Sequence, residues 1–351
     1  MSPTRTNAAA LRIGILGCAK IAHQFARDVA PSPAVRLVAV ASRDAAKAAA
    51  FAAAHGLERQ HASYEALLAD PGVDAIYLPL PNSLHAEWAM KAAAAGKHVL
   101  CEKPLALGGA EAGAMFAAAR RAGVMLLEAY PWYFQPQTGA LLDLLRGGAI
   151  GSLRSIQACF GFTVGNPQAN IRMRPELGGG ALLDAGSYPL SLIRLVMGEA
   201  PEQVQADSEW SASGVDIATF ATLHFSGGRR AQLSCAMNTA NHRHATIVGS
   251  TGTVETEYLN HSADAPGDNP HGYLPSLMRL RRGIANSIAF EEVRTPGGSG
   301  LRFGAEAFAR VVAARDFDAV ERAAAASLDI ARTLEALARS AREGGRRVEL
   351  G

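Results

Sequence analysis

The chain has 351 residues, a formal net charge of +2 at pH 7, 49% hydrophobic residues and 19% charged residues. This composition excludes extended disorder and gives no reason to expect a polyanionic partner. Its arginines are scattered, and the short runs at 279–282 and 342–347 read as solvated faces rather than a nucleic-acid stripe.

The length exceeds one ordinary core, so two domains are expected. Cys18, Cys101, Cys159 and Cys235 lie far apart without a CxxC pair. That spacing suggests reduced thiols in a cytoplasmic protein, with neither a disulfide framework nor a metal site. Residues 1–10 carry one arginine and no apolar h-region, so no secretory signal is expected. Charges or glycines interrupt the apolar stretches before they reach membrane-spanning length.

In chain order, 11–16 reads as a strand and 20–29 as a helix. A second strand covers 35–42, followed by a helix running to Ala54 with Asp44 as its N-cap. Residues 74–80 are strand-like, and 83–95 form a helix that stops at Gly96. Strands at 98–101 and 124–127 flank an alanine-rich helix at 109–122. Strands this uniformly apolar belong in a parallel sheet covered on both faces, which implies repeated βαβ units.

After Glu128 the rhythm changes. Helices are expected at 137–146 and 187–197, then strands at 203–210, 217–225, 229–237, 245–248 and 253–258. Gly227–Gly228 marks a hairpin, so this half reads as α+β with a largely antiparallel sheet. Residues 260–300, rich in Pro, Gly, Asn and Ser, are expected to form a surface excursion. Helices at 303–314 and 320–342 close the chain. The resulting expectation is an α/β Rossmann domain over 1–128 and, over 129–351, an α+β domain with an open, mostly antiparallel sheet.

The first strand runs into Gly17-Cys18-Ala19-Lys20-Ile21-Ala22, which reads as a dinucleotide turn. Gly17 would make the turn, Ala19 would let the backbone approach a pyrophosphate, and Ala22 would pack helix on strand. Ala19 replaces the usual second glycine, so an ordinary βα turn is the alternative. The second strand ends at Ser42-Arg43 with no acid before Asp44. A hydroxyl followed by a guanidinium suits a 2′-phosphate and favours NADP. In the alternative, Ser42-Arg43 is a polar turn, Asp44 takes the ribose and NAD is the cofactor.

Pro81, Asn82 and His85 stand at the carboxyl end of another strand, where ligands of such sheets bind. Asn82 could equally be a cap, and His85 a core or exposed residue. The most informative segment is Cys101-Glu102-Lys103-Pro104, which puts a charged pair at the cofactor-facing edge. Pro104 restricts the preceding residue to extended backbone and allows a cis bond.

Four stretches, GILGCAKIA (14–22), PNSLH (81–85), AGKHVLCEKPLA (95–106) and GGGALLDAGSYPLSL (178–192), resemble the glucose-fructose oxidoreductase, inositol dehydrogenase and rhizopine-catabolism family. The resemblance is strongest to its dihydrodiol and xylose dehydrogenase branch. It implies a nicotinamide cofactor, a small sugar-like or dihydrodiol substrate, and a homodimer formed through the second-domain sheet.

In that likeness Lys103 matches the catalytic lysine, Tyr188 the proton-transfer residue and Asp184 the lysine's positioning partner. The family often has an arginine where Tyr133 stands here. Tyr130, Trp132 and Tyr133 would either line a substrate pocket or pack between domains, and Phe160, Phe162, Asn170 and Arg172 are further pocket candidates. Two other functions share this fold. One is a glucose-fructose-type enzyme that retains its cofactor, and the other is a cofactor-sensing regulator lacking the catalytic pair.

Overall fold

The computed structural model describes residues 9–265 and 272–350. Its first sheet is built from β1 (Leu11–Leu16), α1 (Lys20–Val29), β2 (Val35–Ala41), α2 (Ala45–His55), β3 (Arg59–His61), α3 (Tyr64–Leu68), β4 (Ala75–Leu78), α4 (His85–Ala94), β5 (His98–Glu102), α5 (Gly109–Ala122) and β6 (Leu126–Ala129). The six strands are parallel in the order β3-β2-β1-β4-β5-β6. This is the Rossmann order, and it opens a crevice beyond the carboxyl ends of β1 and β4.

Successive side chains along each strand enter different cores, which explains the continuous apolar runs. Ile13, Ile15, Val40 and Tyr77 face one side with Phe25, whereas Leu16, Val38, Ile76 and Leu78 face the other with Trp88 and Phe116. The short elements β3 and α3 were not anticipated. Three strand residues and five helical residues are too few to establish a periodicity.

The chain continues through α6 (Pro136–Arg146), β7 (Leu153–Thr163), α7 (Ser187–Met197), β8 (Gln203–Trp210), β9 (Asp216–His224), β10 (Arg230–Ala236), β11 (Asn238–Gly249), β12 (Gly252–Thr256), β13 (His261–Ser262), β14 (Leu277–Arg282), β15 (Glu291–Arg294), β16 (Gly298–Ser299), α8 (Gly300–Ala314), α9 (Phe317–Arg342) and β17 (Val348–Glu349). The second sheet has nine strands, ordered β15-β14-β12-β11-β7-β10-β9-β8-β17. All its pairings are antiparallel except β7 with β10.

Sequence reading missed β7, although it is central. Its burial alternates imperfectly, and Gly161 interrupts the β-branched and aromatic signal. The expected excursion at 260–300 contains β13 to β16, with β14 and β15 extending the sheet edge. Residues 266–271 of that stretch lie outside the described ones.

One face of the second sheet carries Ile156, Leu223, Leu233 and Ile247 against Leu190 and Ile193 of α7 and Leu334 and Leu337 of α9. The C-terminal helices also return to the first sheet. Leu301 and Phe308 of α8 join the core around Phe25, and Ala324 and Ala331 of α9 join the opposite core. This shared packing holds the two sheets in a defined relation across the crevice. Among the described residues, no helix is long and apolar enough to cross a membrane. The four cysteines form no disulfide.

Candidate active site

At the end of β1 the backbone turns at Gly17, with φ +100°, a value L side chains rarely adopt. Its N–H donates to Ala41 O at 2.8 Å. A Cβ on Gly17 would stand 2.9 Å from Leu80 Cδ2, so space as well as torsion requires glycine. Helix α1 starts behind Ala19 with no side-chain cap and no acid in its first turn. Its leading N–H groups and positive dipole end are therefore available to an anion. Ala19, Lys20 and Ile21 line the crevice, while Cys18 turns aside, its Sγ 3.7 Å from Lys47 O.

Beyond β2, Ser42 is buried and its Oγ accepts from Asp44 N at 3.1 Å. The Asp44 carboxylate caps α2 by accepting from Lys47 N at 3.1 Å. Arg43 is exposed and has no carboxylate partner among the described residues. Its guanidinium lies beside the Tyr64 hydroxyl, and the adjacent acid, Asp44, is already used as a cap. This arrangement fits a cofactor bearing a 2′-phosphate better than one bearing a free ribose.

After β4, Pro79, Leu80, Pro81 and Asn82 form one wall of the crevice. Asn82 Nδ2 donates to Gly178 O at 2.8 Å, joining this wall to the second half of the chain. His85 corrects the sequence expectation of a cofactor contact. It is fully buried, with Nδ1 2.9 Å from Pro104 O and Nε2 2.9 Å from Leu80 O. Both ring nitrogens are engaged by backbone, so the residue braces two loops of the site from behind.

Strand β5 delivers Glu102 and Lys103, and the Lys103–Pro104 bond is cis. Glu102 accepts from Tyr77 Oη at 2.5 Å and from Lys103 N at 3.3 Å. Burial raises its pKa above the usual carboxylate value. Lys103 Nζ crosses to the second half and donates to both the backbone oxygen and Oδ1 of Asp184, each at 3.0 Å.

Asp184 sits on a π-helical turn (Leu182–Gly186) that leads directly into α7. Gly180 makes this entry possible, with φ +112° and a Cβ position only 2.2 Å from Asp216 Oδ1. Asp216 Oδ2 in turn accepts from Leu182 N at 2.6 Å, anchoring the start of the turn. The helical path thus begins ahead of α7, in π form, and carries both Asp184 and Tyr188.

Asp184 lies between two cations, with Arg172 Nε donating to Oδ2 at 2.5 Å. Burial disfavours its ionised form, but Lys103 and Arg172 outweigh that effect and hold its pKa down at about 2. Burial likewise opposes the charge on Lys103, and Asp184, Tyr188 and Glu102 more than offset it, raising its pKa. Lys103 Nζ stands 4.7 Å from the Tyr188 ring centroid. The Tyr188 oxygen accepts from Asn260 Nδ2 at 3.1 Å.

Lys103, Asp184, Tyr188, Glu102, Arg172 and the start of α1 therefore border one crevice of about 540 Å³. Arg172 was only a secondary candidate by sequence, and Asn260 was not anticipated. Of the two readings of the aromatic segment, packing holds for Tyr130 and Trp132. Tyr130 and Trp132 are buried in the second core, Trp132 Nε1 donates to Ser191 Oγ at 3.1 Å, and Tyr133 is exposed. None of the three borders this crevice.

Residues 11–130 match the model of an oxidoreductase family with an NAD-binding Rossmann fold, and residues 138–255 match the GFO/IDH/MocA C-terminal domain. A D-xylose 1-dehydrogenase (NADP(+)) from Haloferax volcanii is 33% identical, covering 97% of this chain and 100% of the relative. A trans-1,2-dihydrobenzene-1,2-diol dehydrogenase from Danio rerio is 36% identical over 87% of this chain and 89% of its own. Among solved structures, a 3-ketoreductase from Actinomadura kijaniata in complex with NADP and TDP-benzene matches with a TM-score of 0.83 and 31% identity. That match covers 94% of this chain and 98% of the ketoreductase.

Proposed function

The chain belongs to the GFO/IDH/MocA family of NAD(P)-dependent oxidoreductases, and on that premise we propose hydride transfer between NADP(H) and a carbinol, hemiacetal or carbonyl of a sugar-like or dihydrodiol substrate. The observation that carries this reading is the Lys103–Asp184 pair, closed across the crevice beside Tyr188 and the open end of α1. Residues 1–128 would bind the cofactor, and 129–351 would supply the substrate wall and a homodimer interface in a cytoplasmic enzyme. Gly17, Ala19, Lys20 and Ile21 would hold the diphosphate, with Ser42 and Arg43 on the 2′-phosphate.

When bound, the nicotinamide supplies the acceptor or donor of hydride. The protein's own groups handle the proton. An ammonium has three N–H donors, and two of those on Lys103 are taken by Asp184. The third is left for the substrate oxygen, which it orients and polarises. In the oxidation direction the Tyr188 oxygen takes the hydroxyl proton, and in reduction it returns that proton to the carbonyl oxygen. Arg172 and Asp184 offer further polar contacts that suit a hydroxylated ring.

Initial rates with D-xylose and with trans-1,2-dihydrobenzene-1,2-diol, each with NADP⁺ and NAD⁺, test the reading. NADP⁺ is expected to be the better cofactor. Arg43→Ala should weaken NADPH roughly tenfold to a hundredfold, the worth of one charged hydrogen bond, and leave NADH almost unchanged. An equal loss for both cofactors would remove the 2′-phosphate assignment.

A further inference from the structure

Arg243 lies on β11 directly opposite Phe160 of β7. Its guanidinium is packed against three aromatic rings, 4.4 Å from the centroid of Tyr258, 4.5 Å from Tyr188 and 5.0 Å from Phe160. No carboxylate among the described residues lies within ion-pair distance of it. Nε and Nη2 are shut off from solvent without hydrogen-bond partners. Nη1 donates to Asn260 Oδ1 at 3.3 Å, and Asn260 Nδ2 donates onward to the Tyr188 oxygen at 3.1 Å. The crevice wall at this point is Tyr188, with Arg243 outside the lining.

A guanidinium with two of its three nitrogens shut off from solvent and no counter-charge is a costly feature, because desolvation is not offset by a paired anion. Burial accordingly pulls the Arg243 pKa below the usual arginine value, with Tyr258 and Tyr188 acting in the opposite direction. The nearest group whose charge changes during the proposed reaction is Tyr188. We infer that Arg243, coupled through Asn260, is a positioning residue whose permanent charge stabilises the negative charge on the Tyr188 oxygen during proton transfer.

The inference rests on the proposed role of Tyr188. In reduction, hydride reaches the carbonyl carbon while the Tyr188 O–H bond breaks and a new O–H bond forms on the substrate oxygen. The phenolate left behind faces Arg243 across its ring and keeps the Asn260 hydrogen bond. In oxidation the same phenolate is the base, and it regains the proton as hydride leaves the carbon. A fixed charge held over the Tyr188 ring and linked to its oxygen through Asn260 needs no reorganisation as the reaction proceeds.

Steady-state kinetics, single-turnover hydride transfer and thermal melts of three variants test the inference in the full chain. Arg243→Met removes the charge at similar length and should lower kcat by at least about tenfold. A donor placed directly on a reacting oxyanion is worth roughly 10²–10³, so an indirect charge should count for less. KM and NADPH affinity should stay near normal, and Arg243→Lys should recover much of the loss.

Asn260→Asp keeps Arg243 but gives it a carboxylate partner and removes the amide donor to the Tyr188 oxygen, so it should depress kcat while leaving the melt unchanged or raised. A purely structural arginine predicts a normal kcat for that variant, and such a result overturns the inference. Asn260→Asp keeps this test open should Arg243→Met fail to fold. Tyr188→Phe separates the two levels of argument. If it is fully active, the Tyr188 role itself fails. If it is inactive while Asn260→Asp turns over normally, only the Arg243 inference fails.

Discussion

Lys103, Asp184 and Arg172 form a charge triad with one anion between two cations. The pKa of Asp184 is about 2 in the folded chain, below its ordinary value near 3.9. Its stabilising contribution is therefore complete above the unfolded value and lost as pH falls through about 2. Lys103 is shifted upward, so its contribution is complete below the ordinary lysine value of about 10.4 and lost at still higher pH. The pair stays ionised on both sides across the neutral range, which preserves the third N–H of Lys103 for substrate. Lys103→Ala and Tyr188→Phe should each lower turnover by roughly 10²–10⁴. Their combined effect should be less than additive, because the two residues act on one substrate oxygen. Lys103→Ala also leaves Asp184 buried with one cation fewer, and breaking a buried pair costs about 3–5 kcal/mol. Hydride transfer must therefore be measured per folded molecule, with melts alongside. Near-normal turnover in folded Tyr188→Phe would reassign the acid–base role.

Short connections between elements hold these side chains in place. The loops after β4 and β5 carry the crevice walls, and the first residue of α4, His85, spans them through Leu80 O and Pro104 O. The π-helical turn ahead of α7 performs the matching task on the other side. Its wider winding places the Asp184 backbone oxygen and carboxylate where one ammonium reaches both. His85→Leu keeps the volume roughly constant but orphans at least one buried carbonyl. It should cost about 1–3 kcal/mol and lower turnover through displacement of Lys103. Denaturant unfolding gives the stability change, and an unchanged midpoint would show that the bridge is unimportant.

At the scale of the molecule, the described residues cover the second sheet on one face only. Its other face presents Gln157, Gln205, Phe220, Thr222, Gln232 and Thr246 along a shallow concavity. Phe220 is 64% exposed in the middle of this polar surface. Burial of a central aromatic with a surrounding polar rim is what a subunit interface offers. The proposed homodimer should therefore use this face, and Phe220→Asp should weaken it without affecting the crevice. Light scattering of the unmodified chain is expected to give about twice the monomer mass of 36.7 kDa. A monomer mass at micromolar concentration would exclude the dimer. The return of α8 and α9 to the first sheet also means that truncation before α8 should expose both Rossmann cores.

Local physics made much of this protein legible. Strands buried on both faces read as unbroken apolar runs, and Lys20–Val29 and Gly109–Ala122 were anticipated to the residue. Gly17, the Asp44 cap and the glutamate–lysine–proline turn are likewise signals carried by a few adjacent residues. Other features had no such signal. Lys103 and Asp184 lie 81 positions apart, so only the closure of two sheets on each other makes them a pair. The same closure turns His85 from a cofactor candidate into an internal brace and removes Tyr130 and Trp132 from the crevice. Arg243 resembles any arginine on a strand until β7 and β11 pair and surround it with rings. Sequence by itself determined most elements of the first sheet and the chemical types at the crevice edge, because torsions, caps and burial periods are local. Tertiary structure decided which charges meet and which remain unpaired, because desolvation and Coulomb energy depend on distances that only the folded chain defines.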